Sequence, residues 1–102
     1  METLAEAFPA LSVEVESALA EIDQAALGRR FSTAPVCAVN FERGVGYVYL
    51  SADEASPDRM IHLQNTTSDI VLDIGLNDSP IGVEILAPRV ALKSELRGGA
   101  AR

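Results

Sequence analysis

Near the start of the chain, apolar residues recur at steps of three and four. Leu11, Val15, Ala18, Leu19, Ile22 and Ala26 fall on one face of a helix, and Glu14, Glu16, Ser17, Glu21, Asp23 and Gln24 cover most of the rest. Ser12, just after Pro9, is the expected N-cap, and Gly28 is the expected C-cap. Glu14 and Glu16 would then lie in the first turn, where the helix dipole favours negative charge. Upstream, Thr3 and Glu6 have capping-box spacing, which predicts a short extra turn within residues 1–8.

From Pro35 the period shortens to that of a strand. "VCAVNF" (36–41) and "VGYVYLS" (45–51) flank "ERG" and predict a β-hairpin whose turn ends near Gly44. A polar loop follows over 52–59, broken by Pro57. Three more strands are expected: "MIHLQN" (60–65), "DIVLDIG" (69–75) and "IGVEILA" (81–87), with a turn at "TTS" (66–68) and the sheet ending at Pro88. Beyond it, Arg89, Lys93 and Arg97 are four apart and would give a short C-terminal helix a basic stripe. Leu92 and Leu96 form an apolar ridge beside that stripe, and Gly98-Gly99 is the expected stop.

The last hairpin is the most ordered part of the pattern. Ile70, Leu72 and Ile74 share one strand face, and Ile81, Val83 and Ile85 share the other's. Two registers keep these six together. A loop of Asn77 to Pro80 would set Asp73 directly opposite Glu84. A two-residue turn at Asn77-Asp78 would set Asp73 opposite Gly82 and Glu84 opposite Val71. The second is preferred, because like charges directly opposed are unfavourable and Asn and Asp tolerate the left-handed backbone of a type I′ turn. The two carboxylates are then diagonal neighbours on one outer face.

The architecture expected is α+β. An N-terminal amphipathic helix packs on a four- or five-stranded, mainly antiparallel sheet, and a short C-terminal helix follows. The 102 residues make a single domain: a helical N-terminal part over 1–30, the sheet over 35–88 and the helix and tail over 89–102, which is loose at its end. Sequential strands tend to be neighbours, so a meander is the simplest strand order. One good amphipathic helix cannot cover both faces of such a sheet. An uncovered face and open edges favour self-association or a partner.

Charge and composition narrow the function. Fifteen acidic residues against eight basic ones give a net charge of −7, which opposes binding to phosphate backbones, so no direct nucleic-acid contact is expected. No apolar run approaches the roughly 20 residues that span a bilayer, and the acidic start lacks the basic flank of a secretory signal. The single cysteine, Cys37, excludes an intrachain disulfide and suits a reducing cytoplasm. In its apolar strand it reads as a small buried hydrophobe. "GVG" (44–46) lacks the Lys-Ser/Thr and the following helix of a phosphate loop, and CxxC, HExxH and GxSxG are absent. No cofactor or metal is expected, and an enzyme is the least favoured class.

The residues with chemistry to offer are Tyr47, Tyr49, His62, Asp73 and Glu84. Asp73 and Glu84 are candidates for binding a basic partner or, less favoured, a metal; against both stands the ordinary polar side of a half-buried sheet. Tyr47 and Tyr49 share a strand face, either exposed as interface aromatics or packed under the helix. His62, the one histidine, alternates with Ile61 and Leu63 and points away from them.

Residues 39 to about 92 resemble a prokaryotic family, the domain of unknown function 2283. The likeness rests on "VGYVYL", where Tyr47 matches the family's strand tyrosine, and on "VLDIGLNDSPIGVEIL", where Asp73, Gly82, Glu84, Ile85 and Leu86 match its hairpin without a gap. The chain departs from the family at Val39-Asn40, where it has Tyr-Asp, at Gly44 and Gly75, where it has acids, and at Asn77-Asp78, where it has Asp-Gly. The resemblance implies the hairpin-built sheet and, for some members, an antitoxin-like partnership with a small toxin-like protein. Two function classes follow: a small acidic protein-interaction module with a basic partner, or a homodimeric structural or small-ligand-binding protein without catalytic activity.

Overall fold

The computed structural model describes residues 2–52 and 57–101. Half of the polar loop expected over 52–59, and the last residue of the tail, lie outside the described residues. A short helix α1 (Leu4–Ala7) opens the fold, held by the expected capping box: the Glu6 amide donates to Thr3 Oγ1 at 3.3 Å and the Thr3 amide to Glu6 Oε1 at 3.0 Å.

The single helix expected over 12–28 is two helices, α2 (Pro9–Glu21) and α3 (Ala25–Thr33). The break is a Schellman turn. Asp23 takes the left-handed conformation (φ 59°), the Gln24 amide donates to the Leu19 carbonyl at 2.8 Å and the Asp23 amide to that of Ala20 at 3.3 Å. Neither expected cap is one. Ser12 is buried inside α2, its hydroxyl 2.5 Å from that of Ser32 on α3. Gly28 lies within α3, where an added Cβ would stand 3.2 Å from the Glu16 Cα; its bareness lets the two helices approach.

The sheet has five antiparallel strands: β1 (Ala38–Glu42), β2 (Val45–Tyr49), β3 (Arg59–Leu63), β4 (Ile70–Ile74) and β5 (Pro80–Ile85). Their order is β1-β2-β5-β4-β3, not the simple meander expected. The β1–β2 hairpin joins a three-stranded unit through β2–β5 pairing, so the last strand is central and β3 is an edge. Burial explains the choice. β5 carries Val83 and Ile85 fully inside, whereas β3 exposes Arg59, Met60 and His62 and suits an edge.

Both hairpins close as their residues predict. Arg43 and Gly44 (φ 53° and 78°) make the first two-residue turn, with Glu42 paired to Val45. Asn77 and Asp78 (φ 58° and 56°) make the second, closed by the Ser79 amide donating to the Leu76 carbonyl at 3.2 Å. In it Asp73 pairs with Gly82 and Val71 with Glu84, the register preferred from the sequence. A shift at Ile74, which pairs with Pro80, absorbs the extra residue Ile81.

Helix α4 (Val90–Ala100) runs through the glycine pair expected to stop it. Gly99 instead permits close packing, since a Cβ there would stand 2.6 Å from Phe8 Cζ. At Gly46 a Cβ would come within 2.5 Å of Leu96, which places α4 over the inner face of β2. Leu4, Phe8, Leu11, Val15, Leu19, Leu27 and Phe31 from the N-terminal helices, Leu92 and Leu96 from α4, and Val48, Leu63, Ile70, Leu72, Ile74, Val83 and Ile85 from the sheet form one buried core.

Two glutamates lock the helical layer. Glu95 on α4 accepts from the amides of Ala10 at 2.8 Å and Leu11 at 3.1 Å, supplying from another element the cap that α2 lacks locally. Glu14 accepts from the Thr67 amide at 3.1 Å and its hydroxyl at 2.7 Å, and stands 3.6 Å from Arg89 Nε. It thereby ties α2 to the β3–β4 turn and to the start of α4.

Candidate functional site

The helices lie on one side of the sheet, and alternation sends the other set of side chains to the opposite, outer face. The strand registers arrange that face in cross-strand rows. One row reads Asn40, Tyr47, Glu84, Val71 and His62; the next reads Ala38, Tyr49, Gly82, Asp73 and Met60. The five candidate residues from the sequence therefore share one surface, although they come from four strands. The open question about the tyrosines is answered: both stand on the outer face, away from the helices.

At the centre is Tyr47. Its hydroxyl donates to Asp73 Oδ2, spanning from β2 to β4 over β5. The crossing is possible because the intervening position is Gly82, whose missing Cβ would collide with the tip of the Tyr47 ring. The second tyrosine packs beside the first, with Tyr47 and Tyr49 centroids 4.4 Å apart and planes inclined at 50°. Asp73 is buried, at 8% exposure, although it stands on the outer face. Burial first, then the hydrogen bond to Asp73 and that residue's negative charge, push the Tyr47 phenol well above its ordinary value of 10.0. The phenol is therefore a neutral donor at physiological pH.

Glu84 stands opposite Tyr47 on one side and Val71 on the other, and its half-buried carboxylate has no hydrogen-bond or ion-pair partner among the described residues. His62 is apart from the tyrosines. It is exposed at the edge strand, with Nε2 3.9 Å from Asp69 Oδ1. Among the described residues, no group of three His, Cys, Asp or Glu side chains is placed to hold a metal ion.

Charge is segregated. Glu42, Asp73 and Glu84 alternate onto the outer face, with Asp69 at the adjoining end of β4. None of the described lysines or arginines is there. Arg29 and Arg30 are on α3, Arg43 is in a turn, Arg59 is on the helix-side register of β3 and paired with Asp78 at 2.8 Å, and Arg89, Lys93 and Arg97 belong to α4 or its cap. The same outer face leaves large apolar groups in water: Tyr49, Val45, Met60 and, just past β5, Leu86.

The sequence does not single out Gly82 as the residue that admits Tyr47 to Asp73, although a glycine inside a strand signals a close approach. It also misplaces Cys37, which is exposed, just before β1 rather than within an apolar strand. Comparison of the chain with protein-family models, with characterised proteins and with solved structures finds no match. No helix among the described residues is long and apolar enough to cross a membrane.

Proposed function

We propose that the protein is a small acidic protein-interaction module whose outer sheet face receives a basic protein, as an antitoxin-like member of the family resembled would. The observation that carries this reading is the charge segregation on an uncovered sheet face. Carboxylates with no arginine or lysine beside them among the described residues, interleaved with exposed Val45, Tyr49, Met60 and Leu86, form a surface of mixed apolar and negative character. Such a surface complements a basic, partly apolar one, gains desolvation from the aromatic residues and is steered by charge. The setting proposed is cytoplasmic, without a membrane or nucleic-acid ligand.

A homodimer through the same face is the competing reading, favoured by the exposed apolar groups. It would bring two acidic faces together, and like charges across an interface are unfavourable. The test is capture by the tagged protein from its source's lysate, beside light scattering of the protein alone. The expected result is a monomer that retains one basic protein in stoichiometric amount, with retention abolished by Glu84→Lys. A dimer that retains nothing, and that dissociates on Tyr49→Glu, would give the face to a second copy instead.

A further inference from the structure

We infer that the outer face seats an arginine side chain of the basic partner against Tyr47 and Tyr49, with Glu84 as its carboxylate. This deepens the proposed function and rests on it for the surface used; what it adds is the chemical group at the centre.

The geometry suits a flat cation. The two phenol rings lie 4.4 Å apart at 50°, so they form an open angle rather than a closed stack. A planar guanidinium can lie along one ring while its edge remains free for a carboxylate. Glu84 is the cross-strand neighbour of Tyr47, and its carboxylate is unpaired among the described residues. Tyr49 is directly opposite Gly82, over which the tip of the Tyr47 ring lies, and Tyr49 itself stands 40% exposed, so the seat opens on its solvent side.

The bond to Asp73 tunes the seat in two ways. It fixes the Tyr47 ring, so little rotamer freedom is lost when a ligand arrives. It also draws the phenol proton toward an anion, which makes the ring more electron-rich and a better surface for a cation. A lysine ammonium is a compact, strongly hydrated point charge with no plane to lay on a ring, so it gains less from this arrangement.

The decisive experiment uses three synthetic amphipathic peptides with leucine on one face and, on the other, arginine, lysine or the neutral isostere citrulline. Binding to the full chain is followed by backbone-amide and tyrosine-ring NMR shifts. The arginine peptide is expected to bind at least about threefold more tightly than the lysine peptide, and the citrulline peptide at least about tenfold more weakly than the arginine peptide. The shifts should centre on Tyr47, Tyr49 and Glu84. Tyr49→Leu and Glu84→Gln, both at positions outside the buried core, should each remove the preference for arginine while the amide spectrum stays folded.

Equal binding of arginine and lysine peptides on this face overturns the arginine seat and leaves the basic-partner reading standing. Shifts confined to the helical side, or no binding by any of the three, overturn both.

Discussion

The phenol of Tyr47 on β2 donates a hydrogen bond to the carboxylate of Asp73 on β4 across the side-chain-free backbone of Gly82 on β5. That one contact spans three strands of the outer face. Tyr49 packs against the same Tyr47 ring, and among the described residues no helix lies over this face.

Removing the hydroxyl tests how much it contributes. Tyr47→Phe keeps the ring but leaves a carboxylate only 8% exposed without its phenol donor, which is expected to cost about 1–3 kcal/mol in urea unfolding. The phenol also imposes a pH dependence. Its folded pKa lies above the unfolded value of 10.0, so its contribution is complete below pH 10 and is lost as pH rises past 10 toward the folded value. Tyr47→Phe should lose this alkaline decline. An identical decline in the variant, followed between roughly pH 8 and pH 11, would assign it to other groups.

Gly82→Ala attacks the same contact from below. The new methyl would claim the space held by the Tyr47 ring tip, so the ring must swing away or the strand must shift. A loss of about 1–3 kcal/mol is expected. The double variant Gly82→Ala with Tyr47→Phe should be less destabilised than the sum of the singles, because both break one bond. Strict additivity in thermal or urea melts would separate the glycine from the tyrosine.

Much of this face was legible in the chain. The Asn77-Asp78 turn set the register of the final hairpin, and register alone placed Asp73 and Glu84 diagonally on one face. What local pattern could not give was partnership between distant elements. Strand order depends on which strand is buried twice, and β5 took the centre, which the simplest sequential order does not anticipate. The break after Glu21 was hidden because an aspartate, Asp23, fills the left-handed position usually marked by glycine. The three small residues that looked like caps or stops, Ser12, Gly28 and Gly99, are instead places where helices touch something, and nothing within a few residues of them says so.

Asp23 gives a prediction of opposite sign. A non-glycine residue at φ 59° is strained, and among the described residues its side chain has no hydrogen-bond or ion-pair partner to offset that strain. Asp23→Gly should raise stability by about 0.5–1 kcal/mol, seen as a higher midpoint at unchanged urea slope. A lower midpoint would mean that the added freedom of the unfolded chain outweighs the relief.

Glu95 caps α2 from a helix more than eighty positions away in the chain, accepting from the Ala10 and Leu11 amides. Glu95→Ala should cost about 0.5–2 kcal/mol, the range of a lost N-cap, and Glu95→Gln should cost less, since it keeps an acceptor and loses the charge favoured at a helix N-terminus. Amide exchange at Ala10 and Leu11 should quicken more in Glu95→Ala than in Glu95→Gln. Equal protection in both variants and the parent would show that the carboxylate is not what holds those amides.

Ser12 and Ser32 offer a last test, of pairing rather than capping. Their hydroxyls lie 2.5 Å apart, with the residues 2% and 5% exposed, so each is the other's partner inside the helix–helix contact. Changing either one alone to alanine leaves a buried hydroxyl without that partner, at a cost of about 1–3 kcal/mol. Changing both removes the need along with the bond, and two methylenes capped by hydrogen still fit where two hydroxyls did. The double variant should therefore be more stable than at least one of the singles, with a coupling energy of about 1 kcal/mol or more in a double-mutant cycle. A coupling near zero would mean that each hydroxyl finds a carbonyl of its own helix once its partner is gone, as serines within helices do.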